Sequence, residues 1–222
     1  GTKLTKISIT KELFRMIKLV IFDLDGVLVE AKNIHFESLN KALGQDFKIS
    51  WQDHLSVYDG LKTSQKLNML TQRSGLPADS HREVWDKKQK FTLEALSNLP
   101  QDEVLIDLMK FLSLSGFRIA VCSNSIRKTV LTVLAKLGII EFMDLILSNE
   151  DVKNSKPHPE MYWKAISMMS CLPEETLIVE DSPYGLLAAS RSKSHVMRVS
   201  KPSEVNIQNI QKKLESIKMG SM

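Results

Sequence analysis

Short apolar runs rich in β-branched residues recur along this chain, and each ends in a polar residue that precedes a helical pattern. The runs occupy residues 18–22, 118–122, 145–147, 177–179 and 195–199. Runs of this kind are typical of parallel strands that are buried on both faces. The helical patterns between the later runs cover residues 127–137, 160–169 and 184–192. The sequence therefore predicts an α/β fold with a doubly wound, Rossmann-like parallel sheet.

The stretch between the first two runs departs from this alternation. It contains helical periodicity over about seventy residues and no strand pattern. The predicted helices there cover residues 33–43, 63–73 and 81–96. We therefore predict a helical cap domain at residues 31–98, inserted into an α/β core made of residues 17–30 and 99–218. Residues 1–16 are expected to be a leader segment or a remnant of an expression vector.

Bulk composition argues against several classes of partner. The net charge is +4, but the lysines are scattered among acidic residues without interleaved aromatic residues, so nucleic-acid binding is not expected. No apolar run approaches the roughly 20 residues needed to cross a bilayer. Cys122 and Cys171 lie far apart and cannot make a disulfide framework, which suits a reducing compartment. We expect a cytoplasmic protein with no nucleic-acid or membrane partner, and the sequence makes no prediction about its oligomeric state.

Two carboxylates close the first apolar run. In an open α/β sheet, ligands bind outside the carboxyl ends of the strands, and this run ends in Asp23-Leu24-Asp25-Gly26. The spacing lets both carboxylates face one pocket, where one can attack a substrate and the other can move protons. Two acids at a strand end also occur as helix caps or in solvated loops. Burial of the preceding run favours the functional interpretation, because a divalent cation would offset the cost of desolvating two carboxylates.

A second acidic pair, Glu180-Asp181, closes the fourth run. Asp181 would add a third oxygen ligand for a metal, and Mg²⁺ prefers hard oxygen ligands. The five histidines are isolated from one another, and no Cys/His cluster indicates zinc. The alternative is an exposed acidic turn in front of the helix that follows.

Two further segments offer phosphate contacts. Ser123 and Asn124 close the second run in front of a helix, whose N-terminal end attracts anions, although both residues are also favoured as simple helix caps. Lys156, which precedes Pro157, would place a positive charge between an attacking carboxylate and an incoming phosphate. A lone lysine before proline is also common as a solvated residue.

The ordered set of motifs resembles the haloacid dehalogenase (HAD)-like hydrolase superfamily. The motifs are DLDGVL, SN, KPHP and EDSPYG, with a helical insert after the first, and the resemblance spans residues 17 to about 201. The β-phosphoglucomutase-like phosphatases are similar in carrying their cap at this position. The resemblance implies a magnesium-dependent phosphatase that hydrolyses a small phosphorylated metabolite, such as a sugar phosphate, through an aspartyl-phosphate intermediate.

Residue roles follow from that resemblance. Asp23 would be the nucleophile and Asp25 the general acid/base, and an acid at the second position favours phosphotransfer over dehalogenation. The implied Mg²⁺ ligands are Asp23, the backbone carbonyl of Asp25, and Asp181, with Glu180 adjacent or acting through water. The residues implied in binding the substrate or its phosphate are Ser123, Asn124, Lys156, His35, Lys62 and Thr63.

Two alternatives to a phosphatase stay open. A sugar phosphomutase would use the same phosphorylated Asp23 and return the phosphate to another hydroxyl group. The mutase relatives carry an arginine for a second phosphate where this chain has Thr63, although Lys62 could replace it, and this departure favours hydrolysis. A non-catalytic binding domain would keep the fold without turnover, but every acid of the motifs is present.

Overall fold

A five-stranded parallel sheet forms the core of the computed structural model, which describes residues 17–220. The strands are β1 Leu19–Phe22, β2 Arg118–Cys122, β3 Leu145–Leu147, β4 Thr176–Glu180 and β5 His195–Arg198. They lie in the order β3-β2-β1-β4-β5. The predicted α/β fold is therefore confirmed. The expectation for residues 1–16 lies outside the described residues.

Helices follow most strands and fill the stretch between β1 and β2. They are α1 Lys32–Leu43, α2 Thr63–Ser74, α3 His81–Leu96, α4 Glu103–Leu114, α5 Arg127–Leu137, α6 Glu160–Met168, α7 Pro183–Arg191 and α8 Ile207–Met219. Between α1 and α2, a short helix at Trp51–Asp53 continues into a π-helical turn at His54–Tyr58. The short 3₁₀ turns are Gln45–Phe47, Ala78–Ser80, Ile140–Phe142, Asn149–Asp151, Pro173–Glu175 and Pro202–Glu204. Six of the helices match predicted ones closely, whereas α4 and α8 have no predicted counterpart.

The side chains of β1 show why the sheet is covered on both faces. Val20 and Phe22 pack into one apolar layer with α4, α5 and α8, whereas Leu19 and Ile21 pack into a second layer with α6 and α7. All four side chains are fully buried, which is typical of a central strand in a parallel sheet. β1 pairs with β2 on one side and with β4 on the other. Asp23, at the carboxyl end of β1, therefore lies between the carboxyl ends of β2 and β4.

The helices between β1 and β2, called the cap below, have an apolar cluster of their own. It contains Leu39 of α1, Leu67 and Leu70 of α2, and Val84 of α3. Leu96, at the end of α3, joins the layer that covers the sheet instead. The domain boundaries at residues 31 and 98 stay a prediction. Within residues 17–220, no helix combines the length and the apolar composition needed to cross a membrane.

Candidate active site

Asp23 leaves the sheet at the carboxyl end of β1. Its backbone N–H donates to the carbonyl of Val179 in β4 at 3.0 Å, which fixes the start of the loop. The chain then turns at Gly26, whose φ is +82°. A Cβ on Gly26 would stand 2.0 Å from Asp181 Oδ2. Glycine is therefore required here both for the left-handed turn and for the close approach of the loop to Asp181.

Three carboxylates meet beneath this turn. Asp23, Glu180 and Asp181 are buried, and each offers an oxygen within 4.8 Å of the others. Both oxygens of Asp181 are buried without a hydrogen-bond partner, although the Lys32 ammonium lies 3.3 Å from Oδ2. Burial and the charge of Asp23 raise the pKa of both Glu180 and Asp181. The cluster is therefore short of positive charge, and Asp181 Oδ1, which has neither a hydrogen bond nor an ion pair among the described residues, fits a divalent cation.

Lys156 neutralises part of the charge of this cluster. Its ammonium donates to Asp23 Oδ1 at 2.9 Å, to Glu180 Oε1 at 2.8 Å and to the carbonyl of Cys122 at 2.7 Å. All three N–H donors are thereby satisfied on a side chain that is 2% exposed. Burial lowers the pKa of Lys156, but Asp23 and Glu180 outweigh it and raise the pKa above its ordinary value, so the lysine stays charged. Tyr162 also donates to Glu180 Oε1, which holds this carboxylate beside the lysine.

The Asp25 side chain contacts the core loop after β2 and the cap helix α1. Its Oδ2 accepts a hydrogen bond from Ser125 Oγ at 2.9 Å, and His35 Nε2 lies 3.1 Å from the same oxygen. Burial raises the pKa of Asp25, but His35 and Ser125 outweigh it and lower the pKa to about 2. The other oxygen, Oδ1, is buried without a hydrogen-bond partner. Asp25 is therefore ionised at neutral pH and has an oxygen that can take a proton.

The side chains of Ser123 and Asn124 make their hydrogen bonds within the protein. Asn124 Nδ2 donates to the carbonyls of Gly60 at 2.7 Å and Lys156 at 3.0 Å, and Asn124 Oδ1 accepts from the Lys156 backbone N–H at 3.1 Å. Ser123 Oγ accepts from the backbone N–H of Ser125 at 3.0 Å. Asn124 thus joins the cap loop at Gly60 to the loop that carries Lys156. Direct contact of Ser123 or Asn124 with a phosphate stays a prediction.

The cap covers the site and leaves a partly enclosed cavity of about 40 Å³, which has room for a few water molecules but not for a sugar phosphate. The residues that line it include Asp23, Asp25, His35, Thr63, Lys66, Lys88 and Lys156. Tyr184 Oη donates to the carbonyl of Val57 at 2.8 Å, a second bond that holds the cap on the core. The cap therefore has to open for a substrate to enter.

Of the three cap residues that the resemblance implies in substrate binding, two line the cavity and one lies outside it. His35 and Thr63 line the cavity, where Lys88 Nζ lies 3.1 Å from His35 Nδ1 and Gln89 Nε2 donates to Thr63 Oγ1 at 3.3 Å. Lys62 lines two surface grooves outside the cavity, beside α5 and beside the loop before α6. A contact between Lys62 and the substrate stays a prediction.

The residues that line the cavity and are not predicted from the sequence include Lys66, Lys88 and Ser125. The two lysines lie on the buried faces of α2 and α3, and Lys88 stands one helical turn after the buried Val84. A lysine at an apolar helical position is a usable signal, because lysine is rarely buried unless it is paired. Ser125 gives no such signal, since its hydrogen bond joins positions 100 residues apart.

Comparisons with known proteins support the relation that the motifs imply. The model of the haloacid dehalogenase-like hydrolase family matches residues 20–199. Pyrophosphatase PpaX of Bacillus pumilus is 27% identical over 179 residues, which cover 78% of this chain and 78% of that protein. The phosphorylated carbohydrates phosphatase of Thermotoga maritima is 24% identical over 173 residues, which cover 77% of this chain and 79% of that protein.

A solved structure has the same fold. The β-phosphoglucomutase of Clostridium difficile gives a TM-score of 0.81 at 20% sequence identity, over 92% of this chain and 100% of that one. At this identity the likeness concerns the fold alone. The family match is the stronger finding, because it spans most of the chain and contains the three strand-end acids of the site. This chain belongs to the haloacid dehalogenase-like hydrolase family.

Proposed function

We propose that this protein is a Mg²⁺-dependent phosphatase that hydrolyses a small phosphorylated metabolite through an aspartyl phosphate on Asp23. The proposal is supported above all by one cavity that Asp23 shares with Lys156 and Asp25, next to the acidic pair at the end of β4. Two relatives carry phosphatase names, one of them for phosphorylated carbohydrates. We therefore favour a phosphorylated sugar as the substrate class.

Asp23 attacks the phosphorus atom in the first step. A bond forms between a carboxylate oxygen of Asp23 and phosphorus, the bond from phosphorus to the leaving oxygen breaks, and Asp25 gives that oxygen a proton. Lys156 screens the repulsion between carboxylate and phosphate, because its ammonium contacts Asp23. Asp25 acquires its proton as the anionic phosphate enters, since a neighbouring negative charge raises the pKa of a carboxyl group.

Water attacks the aspartyl phosphate in the second step. Asp25, now ionised, takes a proton from the water, the bond between phosphorus and Asp23 breaks, and inorganic phosphate leaves. The contacts from Ser125 and His35 stabilise the ionised state of Asp25, which is the state that this step requires. The cavity has room for the reacting water.

Mg²⁺ fits the acidic cluster. Asp23, Asp181 and the backbone carbonyl of Asp25 would hold the ion, whereas Glu180 is already hydrogen-bonded to Lys156. When bound, Mg²⁺ would neutralise charge on the phosphate oxygens and on the carboxylates. The structural support for this assignment is Asp181 Oδ1, which is buried without a hydrogen bond or an ion pair among the described residues.

Chelation is expected to abolish phosphate release, and added Mg²⁺ is expected to restore it. Asp181→Asn exchanges a ligand oxygen for an amide, so it should raise the Mg²⁺ concentration for half-maximal activity by about 10–100-fold. Thermal unfolding in a Mg²⁺ titration measures the same shift without turnover. Asp46→Asn, at an exposed position of the cap, is the matched control. Full activity in chelator would rule out the metal.

The cavity favours hydrolysis over isomerisation. A mutase has to keep its aspartyl phosphate away from water while a bisphosphate intermediate turns around. Within residues 17–220, the residues that line the cavity include no arginine, and a lysine is a point charge that cannot bind a phosphate through a bidentate fork. A sugar phosphomutase is the second candidate, because it would use the same Asp23 chemistry and this fold.

Phosphorus NMR of phosphorylated sugars, incubated with the protein and Mg²⁺, separates the two reactions. We expect inorganic phosphate to appear from glucose 1-phosphate, glucose 6-phosphate or another member of a sugar phosphate panel. No positional isomer should accumulate, even when glucose 1,6-bisphosphate is supplied, because the cavity offers no bidentate grip on the second phosphate. The Asp23→Asn protein, which lacks the proposed nucleophile, is the negative control. Isomer formation faster than phosphate release would make the protein a mutase and leave the role of Asp23 unchanged.

The thiols of the chain agree with an intracellular setting. Cys122 and Cys171 are both buried and free. Burial raises the pKa of the Cys122 thiol to about 12, so this side chain is not a reactive thiolate. We propose a cytoplasmic location, where free thiols persist.

A further inference from the structure

Two lysines in the roof of the cavity have no counter-ion among the residues that the structure describes. Lys66 of α2 and Lys88 of α3 are each 4% exposed, and both line the cavity. Within residues 17–220, the Lys66 ammonium makes no hydrogen bond or ion pair, and the Lys88 ammonium contacts the ring of His35. A buried ammonium without an anion is unfavourable, because it loses its hydration without gaining a partner.

The nearby carboxylates do not supply the missing charge. Asp59 Oδ2 lies 3.9 Å from the Lys32 ammonium, and Asp25 accepts its hydrogen bond from a core serine. Burial lowers the pKa of Lys66, an effect that Asp59 and Asp25 oppose without cancelling. Burial and the charge of Lys66 likewise lower the pKa of Lys88 to about 7. The roof of the cavity is therefore short of negative charge.

The position of Lys66 on its helix makes this shortage informative. Its neighbours Leu67 and Leu70 belong to the apolar cluster of the cap, so an apolar side chain at position 66 would satisfy the packing of α2. A buried lysine without an anion lowers the stability of the unliganded protein. Residues that lower stability in this way are expected at sites where they bind a ligand. The floor of the cavity already contains Lys156 next to the reacting Asp23.

We propose that Lys66, with Lys88 beside it, binds a second anionic group of the substrate, a phosphate or a carboxylate, on the leaving-group side. The inference rests on the proposed phosphatase function and narrows its substrate to small metabolites that carry two anionic groups. The phosphate that is cleaved lies at the floor with Asp23, and the second anion lies against the cap. Closure of the cap over the substrate would then bring the two lysines and their anion together.

Three substrates that differ at one end test the proposal: glucose 6-phosphate, 6-phosphogluconate and glucose 1,6-bisphosphate. We expect a kcat/KM at least about tenfold higher for one of the two substrates with a second anion than for glucose 6-phosphate. Lys66→Met should lower that kcat/KM by about tenfold more than it lowers the value for glucose 6-phosphate. Preference for 6-phosphogluconate identifies a carboxylate subsite, and preference for the bisphosphate identifies a phosphate subsite.

A binding measurement tests the proposal without turnover, so it applies even if these substrates react slowly. In the Asp23→Asn protein, a ligand with the second anion should raise the melting temperature more than glucose 6-phosphate does, and Lys66→Met should remove that difference. The unliganded Lys66→Met protein should melt at a higher temperature than the wild type, because methionine suits a buried apolar face without an unpaired charge. Lys87→Met, with a side chain 52% exposed beside Lys88, controls for the loss of one positive charge.

Three results would overturn the inference. They are equal losses for all three substrates in Lys66→Met, no extra stabilisation by either second anion, and a lower melting temperature of the unliganded variant. The last result would make Lys66 a structural partner of Asp59. A different result would contradict the phosphatase proposal itself. In that case, no phosphate would be released in the presence of Mg²⁺ from p-nitrophenyl phosphate, which has no second anion.

Discussion

Replacement of Asp23 by asparagine is expected to lower the rate of phosphate release by more than about 10³-fold while the protein stays folded. The amide keeps the shape of the side chain but cannot form the covalent intermediate. Lys156 keeps its contacts with Glu180 and with the carbonyl of Cys122, so the fold retains its support at this position. Phosphate release measures the first effect, and circular dichroism with thermal unfolding measures the second.

Asp86→Asn is the matched control for this variant, because the Asp86 side chain is 53% exposed on α3. It should turn over like the wild type. Mass spectrometry after rapid acid quench should find phosphate on the peptide that contains Asp23 in the wild type and not in Asp23→Asn. Turnover of the variant within about tenfold of the wild type would exclude Asp23 as the nucleophile.

Replacement of Lys156 by methionine is expected to reduce both turnover and stability. The change leaves the carboxylates of Asp23 and Glu180 buried without their cation, and removal of one partner from a buried ion pair costs about 3–5 kcal/mol. For a chain of this size, that loss lowers the melting temperature by roughly 6–20 °C. Turnover should fall as well, because no charge then screens Asp23 from the phosphate. Thermal unfolding and phosphate release measure the two effects.

A pH series in chelator gives this prediction a second check. Burial and Asp23 raise the pKa of Glu180, and loss of the lysine raises it further, so the folded variant binds more protons than the unfolded chain. Its stability therefore falls as pH rises above the ordinary pKa of the carboxyl group, and the deficit should be larger at about pH 8 than at about pH 5. Lys153→Met, at an exposed position of the same loop, is the control. A deficit that is independent of pH would contradict the charge network described for Lys156.

Much of the fold could be predicted because its buried strands are uninterrupted apolar runs. The predicted bounds of α5 are those observed, since Gly138 ends the helix at a φ of +80°. The helix α4 carries a similar signal, with Leu105, Leu108 and Leu112 buried on one face. It has no predicted counterpart, because it follows the cap rather than a strand and the alternation of strands and helices does not require it. The π-helical turn at His54–Tyr58 has no pattern of its own in the sequence.

The site could be predicted at the strand ends and only partly in the cap. Asp23 and Asp181 each follow a strand, so the parallel sheet itself brings their side chains together. Lys62 directly precedes α2, and Lys66 lies on it four residues later. Lys66 lines the cavity, whereas Lys62 lines surface grooves. Which side of α2 faces the core depends on its packing against its neighbours, and residue spacing within α2 does not determine that packing.

Asn124 ties two separate parts of this enzyme to one another. Its amide binds the carbonyl of Gly60 in the cap loop and both backbone groups of Lys156. Opening of the cap would break the bond to Gly60 on the same side chain that positions the lysine loop. His35 of the cap makes a second such link, because its Nε2 lies 3.1 Å from Asp25 Oδ2. A phosphate ester that left the cap open would meet Asp25 without its His35 contact, so discrimination between substrates would begin with cap closure, before any bond to phosphorus forms.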